Sequence, residues 1–188
     1  MQYSSRLAAV AFVAILVLGA VSPSRADQID NPRYKAWASF KKGSSRTLDA
    51  TIQAGPVQVQ TSMQSTLTDV TDDMVTVQTQ STSTYAGQTR QSPPHNQTIA
   101  AKVDQKDIKD DGEESIDAMG KTFKCKVYEA SAAAAGASNS AIGQVKFWTS
   151  DDVPGGIVKM AVNVPTPGPG GQGTTTTITY LLSAYEVK

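Results

Sequence analysis

The chain predicts a mostly β protein. Its expected form is a single curved antiparallel sheet, half-barrel-like, of about seven to eight strands with one short N-terminal helix. Three observations carry this. From Thr47 onward polar and apolar residues alternate with period two over several long stretches, the pattern of strands with one wet face. Short turn sequences interrupt those stretches at Thr71-Asp72-Asp73, Met119-Gly120 and Val153-Pro154-Gly155-Gly156. Only one segment, residues 31–43, carries helical spacing.

In that segment Asn31 is a natural N-cap and Pro32 fits the first helical position, where its missing N–H costs nothing. Tyr34, Trp37 and Ala38 fall at i, i+3 and i+4 as an apolar stripe. Lys41 and Lys42 suit the negative end of the helix dipole, and Gly43 suits a left-handed C′ residue.

The strands follow in order. Leu48, Ala50 and Ile52 alternate with Thr47, Asp49 and Thr51, and Gly55-Pro56 reads as a turn. Val57, Val59, Thr61, Met63, Ser65 and Leu67 then share one parity against Gln58, Gln60, Ser62 and Gln64. Val75, Val77 and Thr79 resume the alternation after the Asp pair. A strand is expected on either side of Pro93-Pro94, and a charged, solvated stretch, a mobile loop or the start of a helical turn, over the acidic 104–117 segment. Phe123, Cys125 and Val127 form one face of a hairpin strand whose tip is Met119-Gly120. Two loops are expected, the small-residue "SAAAAGASNSAIG" and the "PTPGPGGQG" stretch, before a last strand "TTTTITYLLSAYEVK". Pro154 presets φ for the second position of a type II turn and Gly155 supplies the positive φ of the third. A phosphate-binding loop would open a helix, whereas Ile157 to Val164 is β-branched and alternating.

The N-terminus reads as an address. Arg6 precedes an apolar run of about fifteen residues, Leu7 to Val21, long for a signal core and short for a spanning helix. Pro23 breaks it, and Ser24 and Ala26 are the small residues of a signal peptidase site. Residues 1–26 are therefore expected to be a signal peptide and 27–188 a single β-rich exported domain, soluble in the periplasm or outside the cell. Arg6 and Arg25 leave with the leader, so 17 basic residues become 15 against 17 acids, a net charge of −2. That is no footprint for nucleic acid. No later segment is long and apolar enough for an integral membrane helix.

Catalytic and metal motifs fail on inspection. The "GKT" at 120–122 lacks the phosphate loop's first glycine, because Ser115 stands there. An EF-hand aligned on Gly112 would place Lys109 at position three and Ala118 at position twelve. "GASNS" ends in Ser140 where a nucleophile elbow needs glycine. Cys125 and His95 are the only residues of their types, too few for a zinc site, and a thiol hydrolase would need them adjacent. Cys125 shares its face with Phe123 and Val127, which reads as a buried small hydrophobe. No metal, no cofactor and no catalytic residue is expected.

The series "NPRYKAWASFKKGSS", "GKTFKCKVYE" and "VKFWTSDDVPGGIVKM" resembles a group of uncharacterised bacterial exported proteins with a CKxYE strand and a W…VPGGxVK turn. The order of helix, long antiparallel strands and a Trp strand turning at Pro also resembles, more distantly, the periplasmic lipoprotein carriers and outer-membrane lipoprotein-sorting half-barrels. That resemblance implies a non-catalytic carrier whose curved sheet holds acyl chains. One short helix covers only part of such a sheet. Trp37, Val59, Met63, Val77, Trp148 and Val158 are thus the candidate contacts for an apolar ligand. The alternatives are a structural or protein-interaction domain that meets an envelope protein without a small ligand and, least favoured, an enzyme. N-terminal sequencing of the exported protein should begin "DQIDNPRY"; a mature chain that starts at Met1 would overturn the assigned cleavage.

Overall fold

A computed structural model describes residues 28–54, 57–104, 107–131, 144–166 and 174–188. The expected signal peptide, the expected turn at Gly55-Pro56, the small-residue stretch and most of the Pro/Gly-rich stretch lie outside these residues. The strands are β1 (Gln28–Asp30), β2 (Ser45–Ala54), β3 (Val57–Val70), β4 (Met74–Tyr85), β5 (Gln88–Gln91) and β6 (His95–Ala100). They continue with β7 (Lys102–Asp104), β8 (Ile108–Ala118), β9 (Lys121–Ser131), β10 (Gln144–Thr149), β11 (Ile157–Thr166) and β12 (Thr174–Glu186). The one helix described is α1, Pro32–Ala38.

Ten strands form one antiparallel sheet in the order β5-β4-β3-β2-β12-β11-β10-β9-β8, and β6 shares the β5 side of β4. β1 and β7 pair separately. The expected seven to eight strands were too few. The acidic segment forms β8 where a loop or the start of a helical turn was expected, and β1 and β7 add a short pair of their own. The sheet is open, with β5 and β6 at one edge and β8 at the other. It curls at the β8 side, where β8 touches the non-neighbouring β11 and β12, and the Lys121 ammonium donates to the Tyr185 hydroxyl at 2.9 Å.

β8 forms despite its charges because those side chains stay exposed to water at a free edge. Ile108 and Ala118 are buried and Ile116 is half-buried, while residues 109–115 are exposed. Gly112, at φ +93°, lies in a bulge between Asp110 and Glu113, and its N–H donates to the Asp110 carboxylate at 2.9 Å. Lys146 and Lys109 hold Asp111 at 2.7 and 3.1 Å and keep its carboxyl below the usual range. An acidic, bulged edge discourages a second chain from pairing there.

α1 begins as its sequence dictates: the Asn31 side chain accepts from the Arg33 N–H at 3.0 Å, with Pro32 following. It ends earlier than expected, at Ala38 with Ser39 as its C-cap. Gly43 is not the C′ residue; its N–H, at φ +93°, donates to the Leu67 carbonyl at 2.8 Å. The stripe packs as its spacing requires, Trp37 with Leu67, Val75, Val77 and Ile99, and Tyr34, Ala38 and Phe40 at the margin.

Residues 153–156 form a buried dock for that helix. The Gly156 N–H donates to the Val153 carbonyl at 2.7 Å, closing a turn with Pro154 and Gly155 (φ +69°) at its centre, as type II geometry requires. The Gly155 N–H donates to the Ala36 carbonyl at 3.0 Å. The Arg46 guanidinium, from β2, donates to the Gly155 and Pro154 carbonyls at 2.6 and 3.3 Å and lies 5.1 Å from the Trp37 ring centre. A Cβ on Gly155 would sit 2.2 Å from Trp37 Cε2 and 2.4 Å from an Arg46 nitrogen. Gly155→Ala should therefore cost more than about 2 kcal/mol in urea unfolding, since overpacking adds to the positive-φ penalty. Gly87→Ala, also at positive φ but with nothing within 4 Å, should cost only about 1–2 kcal/mol. Equal losses would show that the clash with Trp37 is relieved freely.

Candidate functional site

Directly opposed residues in an antiparallel sheet point to the same face, so the register traces what the inner face carries. One row runs Arg90, Ser83, Thr61, Ala50, Tyr180, Met160, Phe147, Tyr128 and Asp110 across the sheet. The row beside it opens Gln88, Tyr85, Val59, Ile52 and closes Val162, Val145, Ala130, Ile108. Met63 and Leu48 oppose each other one row nearer the helix.

Burial along these rows is graded. At the β8 side Ile108, Ala130, Val145, Phe147 and Val162 are buried in one cluster with Leu48, Val158 and Leu182, and Tyr128 stacks on Phe147 at 5.6 Å between ring centres. Toward the opposite edge the same face loosens. Ile52, Val59 and Met63 are half-buried, and Tyr85 is 53 % exposed. Thr61 and Ser83 satisfy each other at 3.3 Å, so the hydroxyls among these apolar groups are already paired.

The sequence candidates separate into three places. Val59 and Met63 lie on the half-buried inner patch. Trp37 and Val77 are buried together beneath α1. Val158 is buried in the larger cluster. Trp148 lies on the face opposite Phe147, as the alternation of Val145 and Phe147 implies, and is buried there, its indole N–H donating to a Glu114 oxygen at 2.6 Å. The Lys159 ammonium covers its ring at 4.3 Å and that of Lys146 at 5.4 Å. Ile52, Tyr85 and Arg90 share the inner face with Val59 but were not singled out by sequence. Only the strand register, which a lone sequence does not supply, aligns them.

Cys125 and His95 do not meet. His95 opposes Thr79 on β6, and β4, β3, β2, β12, β11 and β10 stand between it and Cys125 on β9. Cys125 is 2 % exposed, and burial, reinforced by the charge of Glu114, pushes its thiol up to about 11. It floors a charged pocket of about 430 Å3, walled by Glu113, Glu114, Lys124, Lys126, Ser150 and Asp151. This pocket belongs to the β8–β9 side of the sheet, away from Val59 and Met63. Among the described residues no group of three or more His, Cys, Asp or Glu is arranged to hold a metal ion, and no helix is long and apolar enough to cross a membrane. No family model, no curated protein and no solved structure matches the chain.

The thiol chemistry gives a direct check. A neutral thiol is a poor nucleophile, so Cys125 should react with a maleimide at pH 7 only in denaturant. Because its folded value lies above the unfolded 9.0, the folded protein holds that proton more tightly, and stability should fall as pH rises from about 9 to about 11. Rapid labelling of the native chain, or a Cys125→Ser variant with the same alkaline loss, would contradict the buried assignment.

Proposed function

We propose that this chain is a non-catalytic, exported domain of the cell envelope that works as a half-barrel and binds lipid-like molecules on its inner face. The observation that carries the reading is the graded burial of that face. The apolar row continues from the packed β8 side to Ile52, Val59 and Tyr85, where the side chains remain half-buried or exposed. α1 leaves that part bare of itself, since it packs on β4 and β6 around Val75, Val77 and Ile99. Half-exposed Ile, Val, Met and Tyr side chains in one patch gain by contact with an apolar partner at about 25 cal/mol per Å2. The separation of Cys125 from His95 favours binding over hydrolysis.

Isothermal titration with saturated fatty acids below their micelle thresholds tests this. Each added methylene should contribute about 0.8 kcal/mol, roughly fourfold in Kd, until the patch is filled. Val59→Gln should weaken the longer chains about tenfold or more while leaving the fold intact, since Val59 is only half-buried. Tryptophan fluorescence is a poor reporter, because both indoles are buried away from the patch. A flat response along the series would favour the second reading, a protein-interaction domain. The closed packing around Phe147 and Val158 supports that alternative.

A further inference from the structure

We propose that the ligand of the inner face is a single-chain amphiphile with a carboxylate head, and that Arg90 binds that carboxylate. This rests on the acyl-binding reading above and adds the charge and orientation of the ligand.

Arg90 opposes Ser83 on β5 and so belongs to the inner face, one row from Tyr85, Val59 and Ile52. It stands at the free edge of the sheet and is exposed. Most described cations of this protein have a visible occupation. Lys35 and Lys102 hold Asp30, while Lys109 and Lys146 hold Asp111. Lys121 lies on the Phe123 and Tyr185 rings and Lys159 on Trp148, and Arg46 is buried against the Gly155 turn. No hydrogen bond or ion pair engages Arg90 among the described residues, and the carboxylate in its register row, Asp110, is at the opposite edge. A permanently charged planar donor beside an apolar patch is complementary to a carboxylate whose chain lies on that patch. The head would sit at the β5 edge, in contact with water, and the chain would run inward over Tyr85, Val59 and Ile52.

The measurement compares dodecanoic acid with dodecanol on the mature chain at pH 7.5, by isothermal titration, for wild type and Arg90→Gln. Wild type should bind the acid about fivefold or more tightly than the alcohol, an exposed ion pair's contribution reinforced by bidentate geometry. Arg90→Gln should bring the acid down to the alcohol's affinity and leave the alcohol unchanged. Arg90 is exposed on a four-residue edge strand, so the variant keeps its fold, which the unchanged alcohol affinity verifies. Equal binding of acid and alcohol by wild type overturns the headgroup assignment while leaving acyl binding in place. Loss of both ligands together in Arg90→Gln also overturns it, since a headgroup contact would spare the alcohol. If neither ligand binds wild type, both this assignment and the acyl-binding reading fall.

Discussion

The docking of Trp37 onto Gly155 is the constraint on which the rest of the structure depends. The indole, from α1, lies against a turn that has no side chain at its closest point, with a β2 guanidinium beside the ring. Three elements, α1, β2 and the β10–β11 turn more than a hundred residues on, thereby share one buried point. Burial and the neighbouring Arg33 push the Arg46 guanidinium down to about 9, which still leaves it cationic at neutral pH. Its desolvation is offset by the Gly155 and Pro154 carbonyls and by the ring face, although its Nε has no hydrogen-bond partner. Fixing the β10–β11 connection in this way sets where β11 begins. The bulge between Trp148 and Thr149 then carries the strand past Val158.

The N-terminal segment reinforces the same point from outside. The Asn31 N–H and side-chain amide donate to the Ala101 and Ala100 carbonyls. Tyr34 donates to the Thr71 and Asp72 carbonyls at the β3–β4 turn, and Asp30, its carboxyl held down to about 2 by Lys102 and Lys35, closes β1 on β7. A seven-residue helix has little stability of its own. Its tertiary contacts hold it in place, and they confine it to one end of the sheet. The coverage of the inner face is uneven for that reason.

Much of this was legible in the residues. The period-two alternation located β2, β3, β4, β9 and β11, and the turns at 71–73, 119–120 and 153–156 stand where their residue types place them. The two prolines at 93–94 separate β5 from β6 as expected. Three features were hidden for physical reasons. An acidic stretch looks the same whether it is a solvated loop or an edge strand with exposed side chains; a free edge settled the matter for β8. Phe147 and Trp148 are adjacent and both buried, which period two cannot express, because the outer one is covered by Glu114, Lys146 and Lys159. Val59 and Val77 lie on strands of equal amphipathicity, yet one is half-buried and the other closed off, because coverage by α1 is a tertiary property.

β2 connects the rigid end to the open one. Arg46, Leu48, Ala50 and Ile52 succeed each other on one face of that strand, passing from the Trp37 dock through the packed cluster to the half-buried patch. Six residues of extended chain span roughly 20 Å, so a perturbation at Gly155 and a ligand at Ile52 share no contact. Their effects on stability should add. Ligand at a hundredfold its Kd would raise stability by about 2.7 kcal/mol in wild type and in a folded Gly155 variant alike. Placing the tight packing at one end and the exposed apolar surface at the other lets the fold keep a half-exposed face, because its stability comes from the packed end.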